Sequence, residues 1–490
     1  MARMPLILAF LLSGLSALAQ EVPAPPRADP MWQSAEAALA ARRAVRPREG
    51  RAKNVILFIG DGMGVSTITA IRIFDGQSRG GSGEENVLSF ERFPYTALVK
   101  TYNVNAQVPD SAGTASAIMT GVKTNRGVID MAASHEVATC GDPADGLLPS
   151  LAERAAAGGR AVGVVTTARL THATPATVYA HSPSREWEAD VDLSDEARRH
   201  GCTDIAAQLI AFAYGDGINV AMGGGRANFL PAARGGRRRD GRDLVREWRA
   251  RHSDAQVVTT AAGLAAVAPA STRHLLGLFA DSHMAYEAKR GDDQPSLAEM
   301  TRRAIDILAQ HEDGFFLLVE GGRIDHAHHE GRAALALHDG QAFAEAVGAA
   351  LARVDLDETL IIVTADHSHV FTIAGYPARG NPILGLARGL DEHGRPTGRP
   401  LLAADGKPYT TLGYWDGPGA VGAARPDLDE ATVTARDYRQ QAVVPLRSET
   451  HGGEDVAAFA TGPWAHLVGG VMEQNLLYHV MARAMDLDGS

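Results

Sequence analysis

The stretch LLVEGGRIDHAHHEGR (317–332) places Glu320, Asp325, His326, His328, His329 and Glu330 within eleven residues, directly after an apolar run. Carboxylates and imidazoles at this density are ligands for divalent cations. On a helix, Asp325 and His329 stand at i and i+4, one above the other, which suits two ligands of one ion. His326 and His328 point elsewhere, toward the ligands' neighbours or solvent.

Three further apolar runs end in the same chemistry. NVILFIGDG (54–62) ends at Asp61, RAVGVVTTARLTHATP (160–175) leads into His172 and Thr174, and TLIIVTADHSH (359–369) ends at Asp366, His367 and His369. One acid after one strand is an N-cap for the next helix. Four strand ends so furnished are better explained by a polynuclear metal site. Aspartate and histidine without cysteine suit zinc in an incompletely closed, catalytic site, whereas Glu320, the Thr174 hydroxyl and Asp61 offer oxygen ligands suited to magnesium.

Such a centre needs a nucleophile, and VPDSAGTASAIMTG (108–121) offers Ser111. It precedes an Ala/Ser/Thr-rich segment that reads as a helix, so the serine sits at a positive helix N-terminus. Alone, that position describes a capping serine. The chain has no G-x-S-x-G elbow, and zinc can lower a hydroxyl pKa without a histidine base.

These residues must be held at the ends of strands. Apolar β-rich runs alternate with Ala-rich helical stretches along the chain, which predicts an α/β fold: a large, mostly parallel central sheet flanked by helices on both faces. Ligands of such sheets bind outside the carboxyl ends of the strands. A Gly/Pro-rich insertion at about 375–447 is too long for an ordinary connection.

The 490 residues are 45% hydrophobic with a formal charge of −11, which argues against nucleic acid or an anionic membrane as partner. MARMPLILAFLLSGLSALAQ reads as a secretory signal peptide over residues 1–19, its apolar run being too short to span a bilayer. In an oxidising compartment Cys140 and Cys202 would pair; otherwise they are two unrelated buried thiols. The basic run ARGGRRRDGR (233–242) reads as a solvated loop. GDGMG lacks the G-x-G-x-x-G spacing of a dinucleotide site. GGGR (223–226) reads as a glycine turn ending a strand rather than a phosphate cradle.

In this order, IGDGMG, VPDSAGTAS, VTTARLTHATPATVYAHSPSR, VEGGRIDHAHHE, TADHSHVF and ETHGGEDV resemble the alkaline phosphatase family. The resemblance runs from Asp29 to about residue 485 and is strongest to the animal-type branch. It implies a phosphomonoesterase in which Ser111 becomes phosphorylated. Asp325, His329 and His451 would hold one zinc, Asp61, Asp366 and His367 a second, and Asp61, Thr174 and Glu320 magnesium, with His172 beside it. Arg185 would clamp phosphate oxygens, oriented by Asp110, and His369 would support a zinc ligand rather than bind the ion.

The resemblance further implies a Cys140–Cys202 disulfide, a homodimer through the insertion as a crown, and phosphate monoester substrates. The animal branch has a calcium site, but Ala280 and Gln294 stand where acids are expected, so no calcium is predicted. No hydrophobic tail comes after DLDGS, so a lipid anchor of the animal kind is not expected. The expected location is outside the cytoplasm of a bacterium, periplasmic or secreted. A non-catalytic metal- or phosphate-binding protein would not need Ser111. The rival reading is a phosphodiesterase on the same scaffold.

Overall fold

The structure, a computed structural model, describes residues 26–141, 146–422 and 424–487. The expected signal peptide lies outside the described residues. The chain divides into two units, residues 1–46 and 47–490. In the first, helix Pro30–Ala44 starts at Asp29, whose carboxylate accepts from the Met31 amide at 2.7 Å. All that follows concerns the second.

Its strands, in chain order, begin β1 (Asn54–Ile59), β2 (Tyr95–Lys100), β3 (Ala161–Arg169), β4 (Val220–Gly224), β5 (Gln256–Val258), β6 (Leu275–Leu278), β7 (Phe315–Glu320) and β8 (Thr359–Thr364). With Gly470–Glu473 and Val456–Thr461 they form a ten-stranded sheet in the order Gly470–Glu473, β2, Val456–Thr461, β8, β1, β7, β3, β4, β6, β5. Val456–Thr461 runs antiparallel to both neighbours, and the remaining pairings are parallel. The predicted mostly parallel α/β sheet is therefore the observed one.

Consecutive residues of a strand face opposite sides of the sheet. Val55 to Ile59 and Phe316 to Val319 are all 0% exposed, so both faces are covered, and this is why these strands read as unbroken apolar runs rather than alternating ones. Helix Leu297–Leu308 supplies part of that cover against β3, β4 and β7. Ser296 and Glu299 close a capping box at its start, and its periodic Leu297, Met300, Ala304, Ile305 and Leu308 turn inward. Each large side chain there contributes about 1.5–3 kcal/mol by burial. Met300→Ala would cost about 2–5 kcal/mol.

The four strands that end in ligand chemistry, β8, β1, β7 and β3, are consecutive neighbours. Their register levels the ends: Ile59 pairs with both Glu320 and Thr364, and Glu320 with Thr166. Residues hundreds of positions apart in sequence thus meet at one edge.

The Gly/Pro-rich region adds Leu412–Gly417 and Ala442–Pro445 to Phe371–Ile373, just before it, in a three-stranded sheet, and carries a hairpin of Arg388–Leu390 with Pro396–Pro400. Trp415 and Val443 stand exposed on it. Cys140 and Cys202 form a disulfide. The basic run is mostly exposed, as expected of a solvated loop, except at Arg238, which is 1% exposed because its guanidinium forks onto Asp204 at 2.8 and 2.9 Å and also meets Asp240. No helix among the described residues is long and apolar enough to cross a membrane.

Candidate active site

Helix Ser111–Thr120 presents Ser111 at its first position, with Asp110 as the cap. Asp110 Oδ1 accepts from the amides of Gly113 at 3.2 Å and Gly127 at 3.0 Å, leaving Oδ2 for the Arg185 guanidinium at 2.9 Å. The helix is built of small residues and is buried throughout. Around Ser111 lie three groups of potential ligands at the strand ends.

In the first group, Nε2 of His329 is 3.3 Å and Nε2 of His451 3.4 Å from Asp325 Oδ1, with the two nitrogens 3.1 Å apart. Ligands about 2.0–2.1 Å from a tetrahedral ion have edges near these lengths. His329 Nδ1 lies 2.6 Å from the Glu449 carbonyl and His451 Nδ1 2.8 Å from that of Pro109. Those contacts hold the Nδ1 protons and leave the Nε2 lone pairs free for a metal.

His369 touches this group but is engaged at both nitrogens, with Asp325 at 2.8 Å and Glu449 at 2.6 Å. Burial disfavours its charge, yet the two carboxylates win and raise its pKa to about 10. It is placed to orient Asp325. Glu449, 1% exposed, had no role in the sequence reading; its only signal is an acid two residues before His451 in ETHGG.

In the second group, His367 Nε2 is 3.4 Å from Asp61 Oδ1 and 3.4 Å from Asp366 Oδ2. Ser111 Oγ is 3.1 Å from that nitrogen and 3.4 Å from Asp61 Oδ1. Gly62 explains part of GDGMG: its φ is +69°, and a Cβ there would lie 2.3 Å from the His369 ring. Its amide donates to Asp366 Oδ1 at 3.0 Å.

The third group is Asp61, Glu320 and His172, with Thr174 buried in the same region. Thr166 donates to Glu320 Oε2, and Nε2 of His172 is 3.1 Å from Arg185. One ring nitrogen of His172 lies within 4.8 Å of a ligand atom of Asp61 and of Glu320. Burial, then the Arg185 charge, keeps its imidazole neutral and able to bind a cation.

Asp61 Oδ2, His172 Nδ1, Thr174 Oγ1, Glu320 Oε1 and Asp366 Oδ2 are all buried without a hydrogen-bond partner. Orphaned polar atoms cost about 1–3 kcal/mol each. Burial, then Asp366, Asp325 and Glu320, pushes Asp61 well above the carboxylate range, and burial raises Glu320 to about 7. Asp325 stays well below the range: burial opposes its charge, but His329 and His369 overcome it. Bound cations would relieve every one of these penalties, so the residues fit the metals expected of them.

Of the two remaining histidines, His326 lines the cleft partly exposed and His328 is not solvated. His328 is 0% exposed and bridges Thr67 Oγ1 at 3.1 Å and Tyr414 OH at 2.7 Å. His326 packs on the rings of His172 and His283 and meets Arg323 at 2.9 Å. A cleft of about 700 Å³ opens over Ser111, Arg185, His172, His329 and His451, with the exposed Arg126 at its rim. GGGR forms the turn expected: Gly225 has φ +91°, and a Cβ on Gly224 would meet the Ser282 carbonyl at 2.1 Å.

The profile of the Alkaline phosphatase family matches residues 52–487. The tissue-nonspecific alkaline phosphatase isozyme of Felis catus is 47% identical over 88% of this chain and 83% of its own length, and that of Homo sapiens 46% over the same shares. Among solved structures, Thermus thermophilus alkaline phosphatase superposes with a TM-score of 0.65 at 26% identity, covering 92% of this chain and 94% of that one. The enzyme of the Antarctic bacterium TAB5, at 24% identity over 90% of this chain and all of that one, shares the fold with a TM-score of 0.62. The chain belongs to the alkaline phosphatase family, metal-dependent hydrolases of phosphate monoesters.

Proposed function

We propose that this chain hydrolyses phosphate monoesters to alcohol and inorganic phosphate through a phosphoserine at Ser111, with two zinc ions and one magnesium ion. The observation that carries the reading is the set of buried atoms on Asp61, His172, Thr174, Glu320 and Asp366 without partners among the described residues, with the Asp61 carboxylate 3.4 Å from the Ser111 hydroxyl. Asp325, His329 and His451 would hold one zinc, and Asp61, Asp366 and His367 the other. Asp61, Thr174 and Glu320 would hold magnesium, and His172 adds a nitrogen that could admit zinc there. Bound at these positions, the cations would supply positive charge that lowers the hydroxyl pKa and offsets the charge of the phosphoryl group.

The chain's own residues do the rest. Arg185 presents a planar fork to two non-bridging oxygens, held in line by Asp110 and abutted by His172. Ser111 Oγ attacks phosphorus and gives up its proton to solvent; the bond to the alcohol oxygen breaks, and the alcohol leaves with a proton from water. Water then attacks the phosphoserine, releasing inorganic phosphate and restoring the hydroxyl. A monoester carries about one more negative charge than a diester, which rewards a third cation and Arg185.

Residues 20–490 would form one catalytic domain with the crown as its insertion. The apolar exposure of Trp415 and Val443 there supports a homodimer. The disulfide and the leader-like residues 1–19 support export from a bacterial cell. No calcium is proposed, since Ala280 offers a methyl group and the Gln294 carboxamide accepts from the Ala285 amide. Elemental analysis alongside turnover of an aryl monophosphate and its diester tests the reading. Zinc and magnesium with a strong monoester preference are expected; equal efficiency on both esters would point to the diesterase instead.

A further inference from the structure

At the opposite, amino-terminal end of the sheet, the loop before β4, the segment after helix Leu244–Arg251 and the residue before β6 bring together Asp216, His252 and His274. One ligand atom of each lies within 4.8 Å of the other two. The catalytic centre lies at the carboxyl end, so none of the functional residues above uses this cluster.

His274 is 3% exposed, and its orientation is set by Asp254, whose Oδ1 lies 3.0 Å from Nδ1. Asp254 is fixed in turn by the Arg273 amide, 3.0 Å from Oδ2. With Nδ1 held by that carboxylate, Nε2 is the atom a metal would take, once it gives up its hydrogen bond to the Asp216 carbonyl. That nitrogen faces the Asp216 carbonyl at 2.9 Å and the Asp216 carboxylate at 3.5 Å. The 3.5 Å edge is close to those of the Asp325, His329 and His451 group.

The second observation is His252. It is 9% exposed, and its ring lies on that of His274 with centroids 3.7 Å apart and planes 14° apart. Among the described residues neither of its ring nitrogens has a hydrogen-bond partner. Among the described residues a third imidazole, His311, has Nε2 buried without a partner. The Asp216 side chain is 59% exposed, which opens the cluster to an ion from solvent.

The geometry points to a peripheral zinc site formed by His252, His274 and the Asp216 carboxylate, separate from the catalytic metals. Two imidazoles and one carboxylate without thiol form a donor set for zinc or a similar borderline cation, with a fourth position for water. Ligation turns the His252 ring out of its stack and replaces the contact of His274 Nε2 with the Asp216 carbonyl. The competing account, His274 held between Asp254 and Asp216 by hydrogen bonds alone, leaves the unpartnered His252 nitrogens without a role.

The test is the zinc content per chain of the full-length enzyme after equilibration at one fixed micromolar free zinc concentration, measured by mass spectrometry. Wild type should hold one zinc equivalent more than Asp216→Ala and than His252→Gln, with aryl monophosphate hydrolysis within about twofold of wild type. Equal zinc content in wild type and Asp216→Ala would overturn the site and leave the hydrogen-bond account. Asp216 is exposed on a loop, so that variant decides the matter even if His252→Gln fails to fold. Because the comparison is a difference between variants, the catalytic metals cancel from it.

Discussion

Ser111 Oγ stands 3.1 Å from Nε2 of His367. In isolation the pair looks like a nucleophile and its base. A serine's histidine base commonly has a carboxylate on its other ring nitrogen, but among the described residues His367 Nδ1 meets only the Ser368 carbonyl at 3.2 Å. The carboxylates of Asp61 and Asp366 instead crowd the same Nε2 that faces the serine. Donor atoms converging on one point from a histidine, two aspartates and a hydroxyl describe a cation site, not a charge-aligned triad.

Glu449 holds His369 through its carboxylate and His329 through its carbonyl. Glu449→Gln keeps the backbone contact and removes the charge that orients His369. Loss of a residue in this position typically costs about 10–100-fold in metal affinity. Competition with a chromophoric zinc chelator should show that loss; unchanged affinity would mean His369 and Asp325 are positioned without it.

Glu320→Ala should empty the third site, lower monoester turnover and erode the preference over diesters. His172→Asp should raise magnesium affinity, since an oxygen replaces the nitrogen next to Asp61 and Glu320. Magnesium titration of activity in the metal-stripped, zinc-reloaded enzyme reads both. A His172→Asp enzyme with no tighter magnesium response would remove His172 from that site.

The Cys140–Cys202 disulfide spans 62 positions. On the loop-entropy account its removal in a Cys140→Ser, Cys202→Ser double variant costs about 4 kcal/mol. Urea unfolding with and without reductant measures it. Equal midpoints for wild type under the two conditions would show that the crosslink contributes nothing.

His181 lies 2.8 Å from Glu153, and although burial opposes its charge, Glu153 raises its pKa to about 9. The folded value lies above the unfolded one, near ~6.5. This pair's contribution is therefore complete below about pH 6.5 and is lost as pH rises through about 9. Glu153→Gln should flatten that decline and cost about 1–3 kcal/mol at pH 6. A variant that keeps the wild-type slope between pH 6.5 and 9 would rule out this pair as its source.

The strands and the candidate ligands at their ends were legible because parallel strands buried on both faces must be continuously apolar, and Asp61, Glu320 and Asp366 interrupt those runs at their ends. Asp325 with His329 was legible from helical spacing. Glu449 was not, because its partners His329 and His369 lie 120 and 80 positions away. Nor was the burial of His328, which depends on Tyr414 from the inserted sheet. Arg238 looked like surface charge because its partner Asp204 is 34 positions away. Local spacing shows what one element presents; it does not show what another element brings to meet it.

The central claim is that Ser111 carries the phosphoryl group. Acid quench of the metal-replete enzyme during turnover of a phosphate-labelled monoester, followed by peptide mapping, tests it directly. The expected result is label on Ser111 in the peptide containing VPDSAGTAS, absent in Ser111→Ala, whose kcat falls by several decades because the pre-positioned covalent step is lost. Wild-type turnover in Ser111→Ala, or label on another residue, would contradict it.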